Sequence, residues 1–185
     1  MVISGPSGVG KTAIVERLID RGACQRAITA TTRAPRSGEV DGVDYFFHDR
    51  AAFEAGIEKG EFLEHAEVHG NLYGTPKAPL EKQLADGQTV LLNIDVQGGE
   101  RLMELEVDAK FVFLLPPSTD ELERRLRSRA SDDEATIARR LDNARGELAR
   151  QDRYQYRVVN DDLEHACDQI VEILSGSRED ASTQK

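Results

Sequence analysis

The sequence predicts an α/β fold: a doubly wound parallel sheet carrying a P-loop, with an inserted small mixed β subdomain and a helical lid. Three observations carry that expectation. A phosphate-type glycine loop follows the first apolar run of the chain. Continuous apolar runs then alternate with amphipathic stretches, as parallel strands and covering helices do. Between residues 33 and 87 a hairpin-like pattern interrupts the alternation.

Met1-Val2-Ile3 reads as the first strand, and Gly5-Pro6-Ser7-Gly8-Val9-Gly10-Lys11-Thr12 spells G-x-x-x-x-G-K-[ST] directly after it. Such glycines let the backbone curl so that successive N–H groups face phosphate oxygens. Lys11 adds a mobile positive charge for the β- and γ-phosphates, and the Thr12 hydroxyl is placed to hold Mg²⁺. The helix starting here aims its positive dipole end at the same anion. Ile14, Val15, Leu18 and Ile19 give it an apolar stripe, and Gly22 is placed to end it. The motif in this setting points to a nucleoside triphosphate.

Ala27–Thr31 is rich in β-formers and reads as a strand, as does Val43–Phe47. Asp49 is placed to cap a helix over 50–59, closed by Gly60. Apolar and polar residues alternate from Glu61 to Thr75 around His69-Gly70-Asn71, which predicts a β-hairpin, and a helix near 78–86 follows, ending at Gly87. Val90–Ile94 and Phe111–Leu115 are continuous apolar runs, as in strands buried on both faces, with a helix near 98–105 between them. Ser118 and Glu121 form a capping box opening an arginine-rich helix to about Arg129. A polar break at 130–133 precedes a long helix to about 150, then a strand at 156–160 and a helix at 163–174. Small polar residues from Ser175 to Lys185 predict a disordered tail. The expected organisation is one domain over 1–174, with a core of 1–32 and 88–174, an insert of about 33–87, a lid of about 125–140, and the tail 175–185.

Composition bounds the function. A chain of 185 residues, 39% hydrophobic and 31% charged, is long enough for one buried core and ordinary for a soluble domain. No stretch approaches a membrane span. A net charge of −10 argues against nucleic acid as a general partner, because phosphate backbones need a broad basic surface. Cys24 and Cys167 lack metal-type spacing and read as packing residues in a reducing cytoplasm. His48, His65, His69 and His165 show no ligand pairing. No interface signal separates a monomer from a homodimer.

An acidic protein that binds anions must concentrate its arginines. In Thr32-Arg33-Ala34-Pro35-Arg36 two guanidinium groups sit three residues apart in a proline-stiffened loop, able to converge on a second phosphate, with Tyr45 and Tyr73 as neutral donors at its edge. Asp95 ends an apolar strand, where P-loop proteins keep a second magnesium-associated carboxylate; an ordinary helix cap is the competing reading.

The string Thr31-Thr32-Arg33-Ala34-Pro35-Arg36-Ser37-Gly38-Glu39-Val40-Asp41-Gly42-Val43-Asp44-Tyr45 resembles the guanylate kinase signature. Glu61–Glu64, Gly70–Thr75, Ile94–Gly98 and Val159–Asp162 are similar to further family segments in the expected order, so the resemblance spans residues 2 to about 174. It implies transfer of the ATP γ-phosphoryl group to GMP, with Mg²⁺ as cofactor. It implies that Arg33, Arg36, Tyr45 and Tyr73 hold the GMP phosphate, that Thr29 lies near guanine, and that Asp95 reaches GMP or the metal. Glu64 would accept from guanine N1–H and the exocyclic amine, and Thr75 would donate to O6. Guanine's two adjacent donors suit one carboxylate, and a buried site rejects a base that leaves its groups unpaired. By family position Arg129 and Arg140 would reach the ATP phosphates, Arg125 is a further candidate, and Asn160 lies near adenine. Thr29, Asn93 and Ala130 stand where the family usually has serine, an acidic residue and glycine.

Two other functions fit parts of the pattern. A kinase for another phosphorylated small molecule, such as a ribose bisphosphate, would use the same P-loop, but Glu64 and Thr75 favour a base over a bare sugar phosphate. A non-catalytic phosphopeptide-binding module of guanylate kinase type generally has an eroded P-loop, whereas Gly10, Lys11 and Thr12 are intact.

Overall fold

The structure, a computed structural model, describes residues 1–68, 70–128 and 134–176. In chain order its first half runs β1 (Val2–Ser4), α1 (Lys11–Asp20), β2 (Gln25–Arg26), β3 (Ala30–Thr31), β4 (Phe46–Phe47), α2 (Arg50–Glu58), β5 (Phe62–Val68), β6 (Asn71–Pro76) and α3 (Lys77–Ala85). It continues with β7 (Val90–Asn93), α4 (Val96–Glu104), β8 (Phe111–Leu115), α5 (Thr119–Arg127), α6 (Glu134–Leu148), β9 (Tyr156–Val159) and α7 (Leu163–Ser175).

Five strands form a parallel sheet in the order β2-β7-β1-β8-β9. β1 is therefore central, and successive residues serve opposite faces because strand side chains alternate. Ile3 packs on one side with Ile14, Leu18, Leu91, Leu114 and Ile170. Val2 packs on the other with Leu92, Leu102, Phe113 and Tyr154. Both faces are covered, which explains the continuous apolar runs at β7 and β8. The chain leaves β1 at its C-terminal end into the glycine loop, and β7, β8 and β9 deliver Asp95, Leu115 and Asn160 to the same edge. Ligands of open α/β sheets bind along that edge.

A second sheet, ordered β4-β3-β6-β5, has a small core of Ala30, Phe53 and Leu72, with Phe53 and Phe62 stacked at 4.3 Å between ring centroids. The expected hairpin is β5–β6, paired antiparallel. The single strand expected over 27–31 is instead divided between the sheets. Ala27 N–H still donates to Leu91 of the main sheet, whereas Thr29 C=O already accepts from Phe46 N–H of the small one. One β-forming run thus serves two sheets, and the small sheet begins at Ala30 rather than beyond residue 32. Of the strand expected at 43–47 only β4 forms, because the Val43 and Asp44 amides turn back to Val40 C=O while their carbonyls accept from Arg26.

Helix ends follow local chemistry with one exception. Asp49 caps α2 through Ala52 N–H, and Asp95 caps α4 through Gly98 N–H, starting α4 two residues earlier than expected. Ser118 caps α5 at Glu121 N–H, but the reciprocal half of the capping box is not made: Glu121 turns its carboxylate to Arg124 and Arg125, whose charges outcompete a neutral amide. The polar break expected at 130–133, including Ala130, lies outside the described residues. Ser175 ends α7 rather than starting the tail, and 177–185 also lie outside the described residues. Among the described residues no helix is long and apolar enough to cross a membrane.

Candidate active site

The P-loop spans the turn from β1 to α1, and its curl depends on Gly10, whose φ of 102° an L side chain rarely adopts. A Cβ there would lie 2.4 Å from Asn160 Nδ2. Asn160, 7% exposed, donates from that nitrogen to Val9 C=O at 2.8 Å. Lys11 Nζ folds back over the loop, donating to Gly5 C=O and to Pro6 C=O at 3.0 Å. Glu147 of α6 reaches the loop from the far side and accepts from Ser7 N–H at 3.4 Å. Burial raises the Glu147 carboxyl above its usual range, while the charge of Lys11 opposes that shift.

Arg125, expected among the phosphate-facing cations, is spent on the protein. Its guanidinium donates to Glu121, to Val9 C=O at 3.2 Å and to Asn160 C=O at 3.1 Å. Arg140 is half-buried on α6, and Arg129 lies outside the described residues.

Opposite the P-loop, the small sheet carries the acceptor candidates. Arg33 Nη2 donates to both carboxylate oxygens of Glu39, at 2.8 and 2.9 Å, Nη1 donates to Ala34 C=O, and the guanidinium lies over the Tyr45 ring at 5.3 Å. The same Glu39 carboxylate accepts from Arg36 N–H at 2.7 Å, so one acid ties down the whole turn. The Arg36 side chain is exposed. Tyr45 and Tyr73 meet edge to face at 6.3 Å, and burial pushes the Tyr45 hydroxyl pKa upward.

Glu64 is 4% exposed on β5. Its Oε1 accepts from the hydroxyl of Thr75 on β6 at 2.6 Å. Burial, with the Asp95 charge adding to it and the Thr75 bonds opposing it, raises the carboxyl from 4.5 to about 7. Thr75 is 1% exposed, so its hydroxyl is spent on Glu64 rather than open to the cleft. Asp95 divides its roles: Oδ1 accepts from Gly98 N–H at 3.0 Å as the cap of α4, and the residue also lines the cleft.

One cleft of about 180 Å³ is lined from both halves, by Lys11, Thr12, Asn93 and Asp95 and by Thr29, Tyr45, Glu64 and Tyr73. Sequence reasoning missed Val68 and Ile94, which also line it, and the roles of Glu39 and Glu147 at its edges. For Glu39 a signal existed, an acid three residues beyond two arginines in a short loop; for Glu147, 140 residues from its partner, none did.

A glycine cradle at the end of the central parallel strand, with its lysine facing a second polar pocket, defines a P-loop nucleotide-binding protein. The guanylate kinase family model matches residues 1–177. The chain belongs to the guanylate kinase family. It is 48% identical over 181 residues to the guanylate kinase of Cereibacter sphaeroides, covering 96% of this chain and 86% of that one. Against the Synechocystis guanylate kinase it is 46% identical over 175 residues, covering 94% and 92%. The crystal structure of guanylate kinase from Anaplasma phagocytophilum superposes with a TM-score of 0.77 at 36% identity, covering 100% of this chain and 85% of that chain. Shikimate kinase from Bacteroides thetaiotaomicron, at 18% identity and a TM-score of 0.53 over 95% and 97% of the two chains, shares the fold.

Proposed function

We infer that this protein transfers the γ-phosphoryl group of ATP to GMP, giving ADP and GDP. It is an ATP:GMP phosphotransferase. The observation that carries the reading is the buried Glu64 carboxylate in the same cleft as Lys11 of the P-loop.

In this proposal residues Gly5 to Thr12 cradle the ATP phosphates, and Lys11 swings from the loop carbonyls to the β- and γ-oxygens. Arg140 and Arg129 complete the donor side, while Arg125 and Asn160 act by holding the loop. On the acceptor side Arg33 uses three of its bonds to Glu39 and Ala34, leaving N–H groups for the GMP phosphate. Arg36 and the Tyr45 and Tyr73 hydroxyls approach the same phosphate. Glu64 accepts from guanine N1–H and the 2-amino group. For Thr75 to donate to O6, its proton must turn away from Glu64, which then receives the guanine donors instead. Thr29 borders the base. The acceptor is already an anionic phosphate oxygen, so no general base is needed, and catalysis reduces to alignment and charge neutralisation.

Among the described residues no group of three or more acidic, histidine or cysteine side chains could hold a metal. The cleft offers the Thr12 hydroxyl and the Asp95 carboxylate, a donor set suited to Mg²⁺ carried in by ATP rather than caged by protein. Bound there, Mg²⁺ supplies charge neutralisation on the phosphates; Thr12 would hold it directly and Asp95 through water.

Every group named comes from one chain, so the reading holds for a monomer or a homodimer. The buried free thiols of Cys24 and Cys167 support the cytoplasm as its setting. A coupled ADP-release assay across GMP, AMP, CMP and UMP tests the function. Turnover with GMP is expected; folded protein with Mg²⁺ and ATP that leaves GMP untouched overturns it.

A further inference from the structure

We propose that Gly98, in the first turn of α4, is a specificity-determining residue, because its missing side chain is the seat of the Glu64 carboxylate.

Gly98 has an ordinary helical conformation, so no backbone demand explains a glycine there. Helix interiors favour alanine over glycine, which makes the choice costly unless space is at issue. Space is at issue. A Cβ at Gly98 would lie 2.8 Å from Glu64 Oε2, closer than real Cβ atoms approach, and 3.4 Å from Ile94 Cδ1. Glu64 cannot step aside cheaply, because it is buried and its Oε1 is bonded to Thr75 at 2.6 Å. Asp95 fixes the turn itself by accepting from Gly98 N–H at 3.0 Å. The two oxygens of Glu64 are thus located by two elements: Thr75 of β6 sets one, and the bare helix surface of α4 sets the other. A methyl group at 98 displaces the second oxygen and rotates the carboxylate out of register with two donors on a purine edge. Loss of that register weakens a base with two adjacent donors more than a base with one.

The inference rests on the guanine-reading role of Glu64, so both are tested together with GMP and IMP, which lacks the 2-amino group. In Gly98→Ala the kcat/KM ratio of GMP to IMP is expected to fall about tenfold or more, since each misaligned buried bond costs discrimination. KM for ATP is expected to stay within about twofold, and the melting temperature to fall modestly, because the clash with the buried carboxylate outweighs the helix preference of alanine. Glu64→Gln is the control for the underlying reading. If Glu64→Gln collapses the GMP preference and Gly98→Ala leaves it unchanged, the seat is wrong and the reading of Glu64 survives. If Glu64→Gln keeps the preference, the reading itself fails. Glu64→Asp in the Gly98→Ala background supplies the independent measurement: a side chain one methylene shorter makes room for the new methyl. Glu64→Asp is therefore expected to be less harmful there than in the parent protein, and additive losses overturn the proposal.

Discussion

Arg125 and Asn160 converge on one carbonyl: the guanidinium of the first, at 3.2 Å, and the side-chain amide of the second, at 2.8 Å, both donate to Val9 C=O of the P-loop. Arg125 also donates to Asn160 C=O, so α5, the end of β9 and the P-loop are closed into one knot. Asn160→Ala removes one of the two donors to Val9 C=O and leaves the other, at a cost of about 0.5–1.5 kcal/mol in the loop's preferred form. KM for ATP is expected to rise about two- to tenfold while KM for GMP stays nearly constant. Arg125→Gln should do the same, and the double variant should lose more than the product of the two, because only then is Val9 C=O left without either donor. Independent, multiplying effects in steady-state kinetics count against this positioning role.

The raised carboxyl of Glu64 gives the reaction a pH signature. Its pKa is lifted from 4.5 to about 7, chiefly by burial, so between those values the folded protein holds a proton that the unfolded chain has released. The stability from this group is therefore full below pH 4.5 and lost as pH rises through about 7. GMP needs the ionised form as acceptor, so kcat/KM for GMP is expected to rise with pH and level off above about 7, with KM for ATP insensitive. The GMP phosphate titrates near pH 6 by analogy with phosphorylated side chains, roughly a unit lower. Glu64→Gln should keep that lower inflection and lose the upper one. Thr75→Val removes a bond that favours the charged form and should move the upper inflection to higher pH. An upper inflection that survives in Glu64→Gln excludes Glu64 as its source.

What the chain discloses in advance depends on the sequence distance over which each feature is determined. The P-loop is local, eight contiguous residues after a strand, and the hairpin of β5 and β6 is set by alternation around one turn; both were legible. The run from Ala27 to Thr31 was not, because its division depends on Leu91 taking one end and Phe46 the other. Arg125 reads as a free cation from its helix alone. Only the packing of α5 against Val9 and Asn160 shows it bracing the loop. Glu64 looks like any strand carboxylate until burial against Thr75 and Gly98 sets it apart. The family resemblance supplied its role, whereas its environment is a tertiary property.

Glu39 orders the acceptor turn. Its ion pair with Arg33 is only 15% and 18% exposed at the side chains, so it is shielded from the screening that weakens surface pairs. Arg33 holds the Glu39 carboxyl below its usual range, so the pair persists into mildly acidic solution. In Glu39→Ala the Arg33 fork loses its orientation and the Arg36 amide its acceptor. KM for GMP is expected to rise about tenfold, with KM for ATP unchanged. A fall in KM for GMP would instead mark Glu39 as a rival anion for the arginines, contrary to the ordering role.

Lys11 separates binding from chemistry. Its ammonium rests on the Gly5 and Pro6 carbonyls, while the loop backbone itself is held by Arg125, Asn160 and Glu147. Lys11→Met keeps the stem and removes the charge. The melting temperature is expected to change little, and GMP binding by calorimetry should be preserved, because the proposed GMP contacts come from Glu64, the tyrosines and the arginine turn and not from Lys11. Turnover should fall about 10²–10³-fold, the scale of one lost electrostatic contact to a transition state. Lys11→Arg is expected to restore little of it, since a planar fork cannot follow the ammonium's path inside so tight a loop. Turnover within tenfold of the parent in Lys11→Met would mean that the charge on the transferring group is neutralised by other cations.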